Sequence, residues 1–151
     1  MHISAKVEYA VRALLVLAAD DGGPLSGAAL ASAQELPPKF LDGILAELRR
    51  SNIIVSQRGS EGGYRLARDA SDIALADIIR AIDGPLAAIR GEHPEVTSYG
   101  GAARHLQDVW IAIRATLRSV LETTTLADVV SGKLPANVKK LVADPDAWIS
   151  R

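Results

Sequence analysis

Residues 26–67 read SGAALASAQELPPKFLDGILAELRRSNIIVSQRGSEGGYRLA, and three structural signals lie within them in order. Ser26 is a good N-cap for a short helix over 26–33. The turn Gln34-Glu35-Leu36-Pro37 leads into a second helix, with Pro38 near its first position, where a missing N–H costs nothing. Along that helix Phe40, Leu41, Ile44, Leu45 and Leu48 make one apolar stripe, and Lys39, Asp42, Gly43, Glu47 and Arg50 largely fill the remaining circumference. Then come Ile53-Ile54-Val55-Ser56-Gln57 and Gly63-Tyr64-Arg65-Leu66-Ala67, with Arg58-Gly59-Ser60-Glu61-Gly62 between them. That pattern predicts a β-hairpin whose loop exceeds two residues. Two short helices joined by a tight turn and followed by a hairpin are the outline of a winged helix-turn-helix.

On the N-terminal side, Ile3, Val7, Ala10, Leu14 and Leu17 recur at helical spacing. The apolar run 13–19 is not read as a signal peptide, because Lys6, Glu8 and Arg12 punctuate the segment and DDGGP follows at 20–24. No run approaches the roughly 20 apolar residues of a membrane span, and a cytoplasmic chain is expected. On the C-terminal side, a helical stretch over 75–82 stops at Asp83-Gly84-Pro85. Residues 86–101 lack a firm period and read as loop. Over 102–122 the pattern sharpens: Leu106, Trp110, Ile113, Leu117 and Val120 form a heptad-like seam. A short helix over 126–130 ends at Gly132, and the tail after Leu134 is weakly patterned, with one turn of helix around 138–142. The expected organisation is therefore mainly α with a small hairpin wing. Its parts are a DNA-binding head over 1–85, a loop over 86–101, a dimerisation helix and closing helix over 102–131, and a tail over 132–151.

The 151 residues carry a formal charge of −1, so the chain is not a polycation that binds nucleic acid through bulk charge. There is no cysteine, which excludes disulfides, thiolate catalysis, Cys-containing zinc sites and cysteine-ligated iron–sulfur clusters. His2, His93 and His105 are far apart and in no metal-ligand spacing; they read as surface residues. No nucleophile elbow, phosphate-cradling loop or opposed carboxylate pair is present, so no enzymatic activity is expected.

Charge distribution is more informative than charge total. Arg49, Arg50, Arg58, Arg65 and Arg68 face a single acid, Glu61, within twenty residues, a local net charge of +4. The charges fall at the end of the second helix and along the hairpin, where a winged helix touches phosphates and the minor groove. Arg58 stands at the hairpin tip beside Gly59, where no side chain obstructs insertion into a narrow groove.

Four segments also resemble the Rrf2-type bacterial transcription regulators. They are MHISAKVEYAVRAL at 1–14, LPPKFL at 36–41, ILAELRR at 44–50 and, most specifically, the glycine-rich wing RGSEGGYRLA at 58–67. The resemblance runs to about residue 131, where TLADVV at 125–130 is similar to the family's closing motif. The whole chain looks most like cysteine-free actinobacterial members.

The resemblance implies a homodimer joined by the long helix through Leu106, Trp110, Ile113, Leu117 and Val120, reading a palindromic operator on double-stranded DNA. Its DNA-contacting set would be Ser26, Pro38, Lys39, Asp42, Gly43, Arg49, Arg50, Arg58, Gly59, Ser60 and Arg65. Asp42 occupies the place of a family acid that can accept from a cytosine amine; its structural alternative is a first-turn acid favoured by the helix dipole. Lys39 and Arg50 would hold phosphates, and Tyr64 would brace the wing. Many relatives bind an iron–sulfur cluster through three cysteines between the Asp-Gly-Pro turn and the long helix. Here 86–107 has none, so no cluster is expected, and Glu8 reads as a helix-surface or ion-pair residue.

The leading reading is a DNA-binding transcription regulator acting as a repressor. Two others stay open: a winged-helix module docking on a partner enzyme, and a small-molecule sensor in which the loop 86–101 closes a pocket beside the long helix. Any effector is unidentified. The seam itself has a plain alternative as an intramolecular core stripe.

Overall fold

The structure is a computed structural model, and it describes residues 2–150. Helix α1 (Ala5–Ala19) opens on Ser4, whose Oγ accepts from the Val7 N–H at 3.1 Å. Helices α2 (Gly27–Gln34) and α3 (Pro38–Arg50) form the helix-turn-helix. The turn between them works because Glu35 takes a left-handed conformation (φ 53°), so that the Leu36 N–H reaches back to the Ala31 carbonyl at 2.8 Å. Strands β1 (Ile54–Gln57) and β2 (Gly63–Leu66) pair antiparallel, Ile54 opposite Leu66 and Gln57 opposite Gly63. Helix α4 (Leu75–Ile82) follows, then the loop, then α5 (Leu106–Leu121), α6 (Leu126–Ser131) and α7 (Ala136–Val142).

One core holds the head together. Leu14, Leu30, Leu41, Ile44, Leu45, Leu48, Ile54, Ile73, Ile78 and Leu126 are fully buried in it. Fully burying one such side chain is worth roughly 1.5–3 kcal/mol, so α3 is gripped by four anchors along its inner face. Two members of the expected stripes fall outside this core. Ile3 precedes α1 and is exposed, because the helix starts only after the Ser4 cap. Phe40 is half-exposed and meets Tyr9 edge-on, ring centroids 5.8 Å apart.

The head is not complete at Pro85. Leu126 lies in its core, α6 packs on α1, and the backbone closes the join: Leu75 N–H to Thr124 carbonyl at 2.9 Å, Leu126 N–H to Ile73 carbonyl at 3.0 Å. The closing helix is thus physically part of the head, because the core needs an apolar side chain that the first 85 residues do not supply.

Helix α5 starts at Leu106 rather than at 102, since Gly101–Ala103 form a separate 3-10 turn. None of its residues is buried, and Val109, Ile111 and Ile113 are exposed. The expected seam faces partly inward. Trp110 and Ile113 line a cleft with Pro85 and Ile89, while Leu117 and Val120 line a groove with Ile3, Val7, Ile79 and Leu86. The tail is more ordered than its pattern suggests: α7 packs on α5, and the Trp148 indole N–H donates to the Val142 carbonyl at 2.7 Å. Among the described residues no helix is long and apolar enough to cross a membrane.

Candidate nucleic-acid interface

With Leu41, Ile44, Leu45 and Leu48 turned inward, α3 must show its other side to solvent. Pro38, Lys39, Asp42, Gly43, Arg49 and Arg50 are all exposed. Asp42 belongs to the second turn of α3, so the first-turn helix-dipole alternative does not apply to it. Its carboxylate instead lies beside the first turn of α2, Oδ1 being 3.6 Å from where a Cβ on Gly27 would stand. Ser26 caps that same turn, its Oγ accepting from the Ala29 N–H at 3.1 Å, and its hydroxyl proton remains able to donate outward. The fold therefore brings Ser26 and Asp42 to one neighbourhood although sixteen positions separate them.

Gly43 has open space where its Cβ would be. Glycine in a helix interior costs roughly 0.8–1 kcal/mol relative to alanine, and nothing in the packing of α3 repays that cost. A bare backbone at the middle of the exposed face is what close approach of another surface requires.

Glu47 is not part of the outward face. It is half-buried and accepts from Lys6 Nζ at 2.7 Å, tying α3 to α1, with Arg50 Nη2 at 3.9 Å. Sequence spacing alone put it on the polar side; the fold puts it at an edge that α1 covers.

In the wing, Arg58, Gly59 and Ser60 are exposed at the turn, and Gly59 has φ 112°, a conformation that side chains disfavour. Arg65 is exposed opposite Val55 on the paired strand. The wing is held to the helix-turn-helix by Leu25 and Tyr64, and the half-buried Tyr64 packs against the core as a brace.

Arg68 departs from the basic cluster. Its Nε donates to the Asp72 carbonyl at 2.9 Å, Nη1 to the Asn52 carbonyl at 3.3 Å and Nη2 to Asp77 Oδ2 at 3.3 Å. That fork staples the hairpin's end to α4, and a guanidinium so engaged is a structural tie rather than a phosphate hand. Lys39, Arg49, Arg58 and Arg65 have no ion pair among the described residues.

A second network supports α2, and its partners are invisible to periodicity. Arg12 lies 6.0 Å from the Tyr9 ring centroid, donates from Nε to Gln34 Oε1 at 3.1 Å, and also donates to the Gln34 carbonyl. Its Nη1 reaches Glu8 at 3.3 Å, so Glu8 is a helix-surface ion-pair residue. The arginine thus holds the last turn of α2 against α1, through a contact between positions 12 and 34 that helical spacing does not reveal.

Iron is the metal to test for a fold of this kind. In the segment between α4 and α5 the Nδ1 of His93 and the carboxylate of Glu95 are both engaged by Arg114. No cysteine exists, and among the described residues no group of three or more His, Asp or Glu could hold a metal ion. This donor set does not fit a cysteine-ligated cluster.

A family model described as Rrf2, iron-dependent transcriptional regulator, matches residues 3–132. Rv1287 of Mycobacterium tuberculosis (strain H37Rv), an HTH-type transcriptional regulator by name, is 50% identical over 145 residues, covering 95% of this chain and 90% of its own. CymR of Bacillus subtilis (strain 168) is 33% identical over 132 residues, covering 87% of this chain and 91% of its own. The solved structure of CymR, described as the global cysteine regulator of B. subtilis, superposes with a TM-score of 0.73 at 32% identity, covering 87% of this chain and 97% of that one. T. potens IscR superposes with a TM-score of 0.69 at 30% identity, covering 100% and 93% respectively.

Proposed function

The chain belongs to the Rrf2 family and is a DNA-binding transcription regulator with a winged-helix fold, and we infer that it acts as a cytoplasmic homodimeric repressor on a palindromic operator. The carrying observation is the exposed basic face of α3 and the wing, set on a chain whose total charge is −1. In this reading α3 enters the major groove with Asp42 and the bare backbone at Gly43 at base edges. Lys39, Arg49, Arg50 and Arg65 neutralise phosphates, Ser26 donates to one, and the wing turn Arg58-Gly59-Ser60 reaches the minor groove. The protein works by binding and not by catalysis.

Dimerisation would proceed through α5. Its exposed Val109 and Ile113, and the open apolar groove between Leu117, Val120, Ile3 and Ile79, are surfaces that a second copy would cover. A regulator without cysteine cannot use assembly of a cysteine-ligated cluster or thiol oxidation as its signal.

The test is binding to a duplex from the promoter of its own locus against a shuffled duplex of equal length, over a salt series. A specific reader prefers the promoter fragment by at least about 10³-fold and loses affinity steeply with salt. Equal binding to both duplexes would contradict sequence-specific regulation.

A further inference from the structure

Between α4, the turn that follows it and α5 lies a cleft of about 500 Å³, within the range of small-molecule sites. Three guanidiniums enter it: Arg80 from α4, and Arg114 and Arg118 from successive turns of α5. Two carboxylates answer them. Glu95 pairs with Arg114, and Glu122 is shared between Arg80 and Arg118, the latter donating from Nε at 2.9 Å. Arg80 also lies 4.0 Å from Asp77 Oδ1 on its own helix, whereas Arg114 and Arg118 have one carboxylate each.

The arginines also keep unused donors. Arg114 is mostly buried, its side chain 17% exposed, yet among the described residues only its Nη1 has partners, Glu95 and His93 Nδ1 at 3.2 Å. Among the same residues Arg118 uses only Nε. Because a guanidinium cannot accept, His93 accepts at Nδ1 and carries its proton on Nε2, a further donor at the cleft. Pro85 and the nearly buried Leu86 form an apolar wall beside these groups.

We propose that this cleft is a binding site for a small organic carboxylate, its anionic end taken by Arg114 and Arg118 and its apolar body laid against Pro85 and Leu86. Guanidinium forks match carboxylates in geometry as well as charge, and a half-used fork in a mostly buried position gains more from such a partner than an exposed one. Hydrogen bonding from these arginines holds Glu95 and Glu122 below the usual carboxylate range, so both stay ionised and the entering anion competes with them.

The competition has a structural outlet. Glu122, which closes α5, pairs with Arg80 on the head's α4 and, within its own helix, with Arg118 four positions back, so a ligand that draws Arg118 away leaves Glu122 to Arg80 alone and tightens the tie between reading head and dimer helix. That regulatory step rests on the DNA-binding reading above; the site does not.

The test is a titration of the full-length protein, followed by the arginine Nε–Hε and histidine resonances in nitrogen-15 NMR. Sodium benzoate, sodium succinate and inorganic phosphate serve as probes at ionic strength matched with chloride. The expected result is saturable one-to-one shifts at Arg114, Arg118 and His93 with a carboxylate, weakened at least tenfold in Arg114→Gln and in the more exposed Arg118→Gln. Shifts that stay linear, or that persist unchanged in both variants, overturn the site. Saturation by phosphate alone overturns the ligand class. DNA affinity is measured separately: a several-fold change on adding the bound carboxylate, absent in Arg118→Gln, supports the regulatory step, and no change overturns it. Failure to bind DNA under any condition strikes the functional reading and leaves the titration to decide the site.

Discussion

Leu25 and Tyr64 exchange both of their backbone hydrogen bonds, Leu25 N–H to Tyr64 carbonyl at 2.9 Å and Tyr64 N–H to Leu25 carbonyl at 2.7 Å. A single residue before the Ser26 cap is thereby a third rung on the hairpin, and the wing is registered to the helix-turn-helix by backbone geometry. The rung requires Gly63. A Cβ there would stand 2.5 Å from the Leu25 carbonyl, at a φ of 155°. Gly63→Ala is expected to cost about 1–3 kcal/mol by overpacking, which at this chain length lowers the melting temperature by roughly 2–12 °C. It should also weaken DNA binding beyond that loss of folded protein. Calorimetry alongside binding at a temperature where the variant is folded checks both; a wild-type melting curve would refute the close-approach argument.

Gly43→Ala should move two quantities in opposite directions. The added methyl meets open space and improves helix propensity, so stability rises by up to about 1 kcal/mol. Affinity for the operator should fall severalfold, because the methyl stands between the α3 backbone and the bases. Equal or better DNA binding by the stabilised variant would show that the bare backbone is not used.

Two arginines of one basic stretch should behave as different kinds of residue. Arg58→Ala leaves folding untouched and weakens operator binding, with a shallower salt slope because one cation fewer enters the DNA's counterion atmosphere. Arg68→Ala removes three hydrogen bonds across the hairpin–α4 join and should lower stability by about 1–2 kcal/mol, a modest figure because the side chain is partly exposed. Chemical denaturation and salt-dependent binding on both variants separate the roles; a purely electrostatic phenotype for Arg68→Ala would add it to the DNA-contact set.

Leu117→Glu places a charge in the apolar groove beside Ile3 and Ile79. The expected outcome is a shift toward monomer in sedimentation at micromolar concentration, with operator binding weakened at least tenfold, as two heads become independent. A monomeric wild type would contradict the homodimer, and a dimer that survives the substitution would move the interface elsewhere.

Acid should loosen α6 through Asp128. Its carboxyl is held below the usual carboxylate range, first by the Thr125 N–H at 2.8 Å and next by the Thr125 hydroxyl at 2.8 Å. A folded pKa below the unfolded one means that the stabilisation is complete above the unfolded value and disappears as pH falls through the folded one. Asp128→Asn should therefore melt lower than wild type at pH 7, and the gap should close as pH falls below the usual carboxylate range. A gap that stays constant with pH would show that the cap acts sterically.

Much of the head was legible because the signals are local. A serine before a helix, a proline at the first helical position, an apolar stripe at three-and-four spacing and a glycine-rich turn between β-branched runs each act within a few residues of themselves. Ser26, Pro38, Leu41 to Leu48 and the hairpin accordingly stand where spacing put them. Ile3 and Phe40 show the limit of the same rule: period marks a face but not how far the neighbouring elements cover it.

Composition and short-range pattern by themselves determined the winged head, its basic face and the absence of any thiol chemistry, since each depends only on which residues occur and on their neighbours in the chain. Only the tertiary structure decided that Leu126 completes the head's core, that Arg68 is a staple while Arg58 stays exposed, that Glu47 faces Lys6, and that three arginines from two helices share one cleft. Those outcomes turn on pairs such as Lys6 with Glu47 and Arg80 with Glu122, forty-one and forty-two positions apart. No periodicity reaches that far, because such partners meet only after burial of the core has brought their helices together.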